Sequence, residues 1–353
     1  MSVKNKVAFA LIRIFAVLLL STVLVLLSGA SPIQAVKTFF YGVFGTAHGF
    51  AEVFVRATPL MLLGLGVAIT FRAGFLNLGA EGQLYMGALA STAAALLLPE
   101  SLGVLRLFLA FVAAFLAGGV WVLIPAWMKS RLGISETVNT IMFNYIAIMI
   151  VGICVRGILQ EDGSSLPQSA QIPDQLTLPL LLSPTRLHGG TIVAILAVIV
   201  LWFLLYKTTL GFEMQMVGLS KRAALCTGLS VPKSLLFSAL IGGGLAGLAG
   251  FNEVFGVQHR LLEGISGGNG YTAILVALLA FNHPIRVMLV SVGLAALQVG
   301  AATMQRSLGV PSSIVSIIIG FIVLMILCGS LPQIWSEMHS SQKQKGGNRS
   351  YVG

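Results

Sequence analysis

Long apolar stretches separated by shorter polar segments repeat along the whole chain. We place them near residues 7–28, 53–71, 83–99, 104–128, 136–156, 190–206, 234–252, 270–283, 286–304 and 312–330. A helix needs about 20 apolar residues to cross the core of a bilayer, so we expect the eighth stretch, which is short, to be tilted, broken or merged with flanking polar sequence. The pattern predicts an all-α fold, a polytopic transmembrane helical bundle of about ten spans with broken helices.

A polar, glycine-rich break separates the second and third stretches. It reads FRAGFLNLGAEG over residues 71–82 and carries Arg72, Asn77 and Glu81 among three glycines. Each glycine weakens a continuous helix by roughly 1 kcal/mol relative to alanine. Backbone freed in this way is tolerated at membrane depth only where protein buries it or where it lines a watery cavity. The break is therefore either a short polar loop on the cytoplasmic face or part of a solute site, and Arg72 could pair with Glu81 if the glycines fold the segment back.

A second break opens the eighth stretch, where residues 264–274 read GISGGNGYTAI. Two broken segments, one in each half of a chain, point to a solute-binding site in a transporter. Between the breaks, the segment LIGGGLAGLAG at 240–250 has small residues spaced four apart, Gly243 with Gly247 and Ala246 with Gly250. This spacing predicts close packing with another helix.

Two loops between the apolar stretches are long. The loop at 157–189 contains four prolines, which argue against regular helix and favour an external cap. The loop at 207–233 predicts a short amphipathic helix from Gly218 to Thr227, with an apolar stripe of Leu219, Ala223 and Cys226 and with Gly228 placed to end it. Composition alone favours the simpler interpretation of this second loop as solvated and basic.

Composition supports the membrane class. Charged residues make up 9% of the 353 residues, against about 25% in soluble domains, and 57% are hydrophobic. The net charge of +10 is dispersed between the apolar stretches, where it orients the chain in the bilayer instead of forming a nucleic-acid surface.

Lysine and arginine are concentrated on one side of the predicted membrane. If the N-terminus is inside, fourteen of the 21 fall in cytoplasmic segments. They are Lys4, Lys6, Arg13, Arg72, Lys129, Arg131, Lys207, Lys221, Arg222, Lys233, Arg286, Lys343, Lys345 and Arg349. This bias predicts that both termini are cytoplasmic.

Sequence motifs for catalysis, ATP binding or metal binding are absent. No G-x-x-x-x-G-K-[ST] motif occurs, so the chain does not bind ATP through a P-loop, and neither H-E-x-x-H nor G-x-S-x-G is present. The three cysteines and five histidines are scattered, which indicates neither disulfides nor a metal site. Few ionisable residues lie within the apolar stretches, which counts against proton-driven transport.

Four segments, in this order, resemble one family. They are FRAGFLNLGAEGQLYMGALAS (71–91), ISETVNTIMFNYIA (134–147), VGLSKRAALCTGLSVPKSLLFSALIGGGLAGLAG (217–250) and GYTAILVALLAFNHP (270–284). They resemble the permease subunits of bacterial ABC importers of the ribose and branched-chain amino acid permease group, and in particular its nucleoside branch. The resemblance runs from about residue 50 to residue 330. Phe75-Leu76 is inverted relative to the common order, and Ser220-Lys221-Arg222 replaces the usual Asn-Pro-small opening of the inner loop.

The resemblance implies an assembly of several subunits. Two permease chains, identical or paralogous, would form the pore, an ABC ATPase subunit would bind ATP and Mg, and a substrate-binding lipoprotein would deliver a nucleoside. This chain would be a multi-pass protein of the bacterial inner membrane, not an enzyme, with no cofactor of its own. Residues 1–330 would be the transmembrane permease domain, with 157–189 outside and 207–233 as the cytoplasmic coupling loop, and 331–353 would be a cytoplasmic tail.

The resemblance also implies two sets of functional residues. The substrate pathway would be lined by Asn77, Glu81, Gln83, Asn139, Asn144, Asn269 and Tyr271. Coupling to the ATPase would involve Glu213, Gly218, Lys221, Arg222, Ala223, Ala224 and Gly228. Amides and a carboxylate supply donors and acceptors, which suits a nucleobase or a hydroxyl-rich solute.

Two alternatives remain beside the nucleoside importer. A monosaccharide permease of the ribose type belongs to the same class. An ion-coupled secondary transporter belongs to a different class and would need no ATPase. A membrane enzyme is disfavoured because no catalytic constellation is present.

Overall fold

The structure, a computed structural model, describes residues 3–311, 313–314 and 316–325, and this part of the chain is built from α-helices joined by loops. The helices of its first half are α1 Val3–Leu27, α2 Pro32–Phe44, α3 Ala47–Arg72, α4 Ala80–Leu97, α5 Val104–Leu132 and α6 Glu136–Val155. Those of its second half are α7 Gly190–Lys207, α8 Thr209–Leu219, α9 Lys221–Cys226, α10 Val231–Asn252, α11 Asn269–Leu279, α12 Pro284–Leu308 and α13 Ser316–Met325.

The all-α, polytopic class is confirmed, and the number of ten spans is approximate. Within the described residues six helices are long and apolar enough to cross a membrane, or seven if a bent pair counts as one span. α4 is not among these six, and its first turn carries Glu81 and Gln83. α11 has 11 residues and is therefore about 16 Å long, roughly half the thickness of the bilayer core.

The two ends of the chain differ from the predicted spans. α1 is followed after a bend of 107° by α2, a helix that the sequence pattern does not separate from the connecting segment. Proline at the first position of α2 removes an N–H that has no partner there and so favours a new helix start. Of the predicted span at 312–330, α13 is described, and the rest, with the predicted tail at 331–353, lies largely outside the described residues.

The chain divides into two compact units. One consists of residues 47–296 and contains α3 to α11 with the first half of α12. The other combines the described residues of 3–46 with those of 297–325. In this second unit α2 packs closely on the end of α12, where Gly300 lies against the ring of Phe39 and Gly42 lies against Thr303.

α3 and α10 form the centre of the larger unit, and most of their residues are buried. The glycines of α10 make this possible. A Cβ added at Gly243 would clash with the carbonyl oxygen of Gly118 on α5, and one at Gly247 would clash with that of Ala114. The close packing predicted from the spacing of small residues is therefore confirmed.

Candidate functional site

The polar break between α3 and α4 is a buried turn. α3 ends at Arg72, and Gly74 then adopts a left-handed conformation with φ of +77°, which glycine tolerates better than other residues. Phe75 donates its N–H to the carbonyl oxygen of Thr70 at 2.9 Å. Its ring is fully buried in a core cluster with Val122 of α5, and this contact fixes the break to the bundle.

Asn77 and Gln83 bind each other across the break. Asn77 Nδ2 donates to Gln83 Oε1 at 3.2 Å, and Gln83 Nε2 donates to Asn77 Oδ1 at 2.9 Å. Asn77 Oδ1 also accepts the N–H of Gly79 at 2.9 Å. Both side chains are buried, so these bonds remove the cost of burying unpaired amides. The two amides therefore hold the turn between α3 and α4 in one conformation.

α6 supplies further partners for the broken backbone. Asn144 Oδ1 accepts the N–H of Gly82 at 2.8 Å, and Asn144 Nδ2 donates to the carbonyl oxygen of Leu78 at 2.9 Å. Thr140, one turn earlier, accepts the N–H of Leu78 through Oγ1 at 3.2 Å. α4 approaches closely because Gly82 has no side chain, and an added Cβ would lie 2.9 Å from Asn144 Cα. The polar backbone of the break is therefore bonded and buried within protein. This is the condition under which non-helical backbone is tolerated at membrane depth.

Glu81 joins the first break to the second. Its Oε2 accepts the hydroxyl of Ser266 and the N–H of Gly270, both at 2.8 Å. Gly270 lies in the first turn of α11, so the carboxylate sits at the positive end of the dipole of this half-helix. A Cβ on Gly270 would clash with the backbone of Glu81. The two glycine-rich breaks that the sequence singles out thus meet at one carboxylate.

Asn269 and Tyr271 are the more accessible members of the predicted pathway set at this junction. Asn269 is half-buried and bonds through its main-chain N–H to Ser266 Oγ at 3.1 Å. Tyr271 is 43% exposed, whereas Glu81 is 3% exposed. Asn269 and Tyr271 thus offer side chains at the surface of the junction, and the buried residues hold its shape.

Asn139 lies apart from this group. It is half-buried on α6, and its Nδ2 contacts Met128 Sδ of α5 at 3.2 Å. Asn144, five residues later, turns instead toward the break. Two residues five apart on a helix do not share a face closely, and the structure separates them accordingly.

Arg72 does not pair with Glu81, so that hypothesis is wrong. Arg72 Nε donates to the carbonyl oxygen of Asn282 at 2.9 Å, and Nη1 donates to Gln215 Oε1 at 2.8 Å. Glu81 is instead held by donors at the start of α11. The charges of Arg72 and Glu81 therefore lie near opposite ends of α11.

Sequence reasoning missed three residues of the junction: Ser266, Gly270 and Thr140. Ser266 stands three residues before the start of α11 and bonds both Glu81 and the N–H of Asn269. Serine before a helix is a residue type that binds free N–H groups there, which is the signal that would have found it. Nothing in the sequence pairs Thr140 with the break.

The predicted inner helix at 218–227 is in fact divided between two helices. α8 runs to Leu219, and α9 begins after Ser220, whose Oγ accepts the N–H of Ala223 at 3.3 Å. Ser220 has an extended backbone, with φ of −157° and ψ of 106°, so α8 ends before it, and its side chain caps the start of α9. Gly228 has a φ of +78° and follows α9, as predicted.

The predicted coupling residues lie in different environments. Lys221, Arg222 and Ala223 are exposed on α9, whereas Ala224 is buried. Leu219 is 82% exposed, so the predicted apolar stripe has no cover within the described chain.

Two further coupling residues, Gly218 and Glu213, lie on α8. A Cβ on Gly218 would clash with the carbonyl oxygen of Arg72. Glu213 is half-buried in the wall of an apolar cavity of about 630 Å³ between α5, α8 and α10. No residue of the two breaks lines this cavity.

The long loop between α6 and α7 is held by specific contacts. Isolated antiparallel bridges connect Gln160 with Ser169 and Leu180 with His188. His188 is fully buried, and its Nδ1 accepts the N–H of Gly190 at 3.2 Å. Burial, together with the nearby His259 and Arg186, lowers the pKa of His188 to about 4. His188 is therefore neutral at pH 7.

Comparison with known proteins gives one family and several relatives. The family described as branched-chain amino acid transport system / permease component matches residues 49–327. A guanosine ABC transporter permease protein of Bacillus subtilis is 36% identical over 90% of this chain and 91% of its own length. A glucose ABC transporter permease protein of Haloferax volcanii is 35% identical over 90% of this chain and 86% of its own length. A nucleoside ABC transporter permease protein of Lactococcus lactis is 30% identical over 91% of both chains.

Proposed function

Because this chain belongs to the family of branched-chain amino acid transport system permease components, we propose that it moves nucleosides across the cell membrane as the membrane-spanning subunit of an ABC importer. The observation that carries the substrate class is the similarity, over about nine-tenths of the chain, to permeases named for guanosine and for nucleosides. The chain is a transport component and not an enzyme.

A monosaccharide is the second candidate substrate, supported by the glucose permease relative at 35% identity. Nucleosides contain a sugar as well as a base, so a binding site for either solute needs hydrogen-bond donors and acceptors. An ion-coupled secondary transporter has no support among the relatives named above, which are all ABC transporter permeases.

The junction of the two breaks is the proposed solute pathway. Glu81, Asn77, Gln83 and Asn144 hold the broken backbone in place, and Asn269 and Tyr271 offer more accessible polar groups beside them. An aromatic ring with a hydroxyl suits a nucleobase, because it combines an apolar face with a polar edge. Asn139 has a smaller part in this proposal because it faces Met128.

Coupling to the ATPase is assigned to the segment formed by α8 and α9. The exposed apolar residues Leu219 and Leu225 lie beside the charges of Lys221 and Arg222. A short helix with these features fits a groove in a partner protein. The partner ATPase binds ATP and Mg in this proposal, and this chain binds neither.

The remaining partners and the orientation complete the proposal. A second permease subunit, identical or paralogous, contributes the other half of the pore, and a substrate-binding lipoprotein docks on the external side, where the loop at 157–189 lies. Both termini are cytoplasmic, in accord with the distribution of lysine and arginine.

Uptake by the complete transporter in vesicles tests the proposal. We expect radiolabelled guanosine to enter only when the partner ATPase is active, and to enter still when the proton gradient is collapsed while ATP is maintained. Excess unlabelled nucleoside should compete, and excess glucose should not. Uptake by this chain alone in ATP-free vesicles would contradict an importer, and ATP-dependent uptake of radiolabelled glucose without uptake of guanosine would favour the monosaccharide.

A further inference from the structure

Arg72 connects four helical elements at the end of α3. Its guanidinium group binds the carbonyl oxygen of Asn282, after α11, and Gln215 Oε1 of α8, at 2.9 and 2.8 Å. The same group lies 5.1 Å from the centre of the Tyr206 ring at the end of α7. Arginine suits this position because its planar group presents several donors in fixed directions and stacks on aromatic rings.

The main chain reinforces the connection between α8 and α3. Gly218 of α8 lies against the carbonyl oxygen of Arg72, and a Cβ added at Gly74 would lie 3.2 Å from Gly218 Cα. Gln215 is itself held, because its Nε2 donates to the carbonyl oxygen of Leu205 at 2.6 Å. A displacement of α8 therefore acts on the end of α3 and on the start of the first break.

The turn after α11 has a demanding conformation. Phe281 and Asn282 both have positive φ angles, 51° and 54°. This conformation is unfavourable for a residue such as phenylalanine and less so for asparagine. Such backbone persists only where its surroundings hold it, and the bond from Arg72 to the carbonyl oxygen of Asn282 is one of these restraints.

α11 carries the effect of this turn to the junction of the breaks. Its 11 residues form one short helix with the Arg72 contact beyond its last turn and the Glu81 contact in its first turn. A short, regular helix moves largely as one body. A shift of its end by Arg72 therefore changes the position of Gly270 relative to Glu81.

We propose that Arg72 is a positioning residue that transmits movement of the α8–α9 segment through α11 to the Glu81 junction, coupling ATP hydrolysis to passage of the solute. This inference rests on the proposed function, since it requires an ATPase bound at α8–α9 and a solute at the junction. Arg72 contacts neither the ATPase site nor the solute in this account. It links the position of α8 to the position of α11.

The test uses the complete transporter in vesicles, with ATP hydrolysed and guanosine taken up measured in the same sample. In Arg72→Gln we expect the ATP consumed per guanosine to rise by at least about fivefold, the lower range of typical coupling between sites. Arg72→Lys keeps the charge but loses the fork of donors, so its ratio should lie between those of Arg72→Gln and the wild type. Lys207→Gln is the matched control, since it removes a neighbouring cation that is not bound to α11.

Two further measurements separate coupling from folding. Co-purification of the ATPase and the yield of assembled transporter should match those of Lys207→Gln, because Arg72 is not part of the exposed α9 surface. If Arg72→Gln fails to assemble, Gln215→Leu is measured in its place. It removes one acceptor of Arg72 and should also raise the ATP consumed per guanosine. An unchanged ratio in the assembled variants, or an equal rise in Lys207→Gln, overturns the inference. A wild-type transporter that hydrolyses ATP without guanosine uptake overturns the proposed function instead.

Discussion

At the scale of single residues, Glu81 illustrates how a carboxylate can be accommodated at membrane depth. It is 3% exposed, and Oε2 accepts hydrogen bonds from Ser266 and Gly270 at the start of α11. Ionisable residues inside a membrane are costly and usually functional. Its position between the two broken segments lets this carboxylate hold the junction together, and in the proposed function it also lies beside the solute pathway.

Replacing Glu81 by glutamine should reduce uptake strongly while the protein still assembles. Glutamine keeps the size of the side chain and an acceptor oxygen, but it loses the charge that the half-helix dipole favours, worth about 0.3–1 kcal/mol and more where buried. Guanosine uptake and ATPase co-purification should be measured together. Glu100→Gln, on a short exposed 3-10 turn, is the control, and wild-type uptake in Glu81→Gln would remove this carboxylate from the pathway.

His188 predicts a pH dependence in the long loop between α6 and α7. The pKa of His188 is lowered to about 4 by burial, so protonation is harder in the folded chain than in the unfolded one. The unfolded chain therefore binds more protons between the ordinary pKa of about 6.5 and pH 4, and stability is lost as the pH falls through this range. The melting temperature at pH 7 and pH 5 measures the effect. His188→Gln should show a smaller loss than the wild type, and the exposed His48→Gln should show the same loss as the wild type.

At the scale of helices, the glycines of α10 determine how closely its neighbours approach. Gly66 of α3 and Gly242 of α10 lie against each other's carbonyl oxygens, and Gly243 packs in the same way on Gly118 of α5. In a membrane, such packing replaces the hydrophobic driving force that water provides elsewhere. Because the break and α11 pack on this core, its spacing sets the geometry of the junction.

A side chain at Gly243 should therefore disrupt the larger unit. Gly243→Val places branched carbons where the carbonyl oxygen of Gly118 lies, and overpacking of this kind costs about 1–3 kcal/mol or more. We expect a lower melting temperature and reduced yield in detergent. Gly293→Val on α12 is the control, because an added Cβ there meets no atom within 4 Å. Equal stability of the two variants would show that the glycine contact is unimportant.

The exposed face of α9 predicts a partner contact. Ala223 is exposed and Ala224 is buried, so Ala223→Glu leaves the described chain intact. Against a partner it would bury a charge without a counter-ion, and an unsatisfied buried charged group costs about 3 kcal/mol or more. Co-purification should show loss of the ATPase with normal membrane insertion. Ser230→Glu, an exposed position beyond α9, should retain the ATPase, and full retention in Ala223→Glu would show that the segment is merely solvated.

At the scale of the whole molecule, the membrane topology follows from charge as much as from hydrophobicity. The two-to-one excess of lysine and arginine on one predicted side favours cytoplasmic termini. The family indicates a transporter with ATPase and substrate-binding components, which in the proposed function act on opposite faces of the membrane. The long loops at 157–189 and 207–233 then belong to different sides.

Reporter fusions test this topology. A cytoplasmic reporter placed after Lys129 or Lys207 should be active, because both residues lie in the last turn of a helix at the side predicted to be cytoplasmic. A reporter that works only outside should be active after Asp174. A cytoplasmic signal from the fusion at Asp174 would contradict the topology and, with it, the assignment of α8–α9 to the ATPase side.

Much of this protein was determined by its sequence alone. Apolar length located α5, α6, α7, α10 and α12 to within four residues and α3 to within six, because each must fill the bilayer core. Glycine clusters marked the two breaks, since glycine weakens helices wherever it gathers. The four ordered motifs identified the family. The hydropathy pattern did not reveal α2, because the 107° bend before it depends on local geometry.

Only the tertiary structure decided which residues of the breaks meet. Ser266 and Gly270 lie almost two hundred positions from Glu81 in the sequence and yet bind its carboxylate, and Arg72 binds Gln215 and the carbonyl oxygen of Asn282 instead of the nearer Glu81. Hydropathy and local spacing report the preferences of each segment for water, lipid or helix. They do not report partners, because a buried polar atom bonds whatever donor or acceptor the packing of helices brings within about 3 Å.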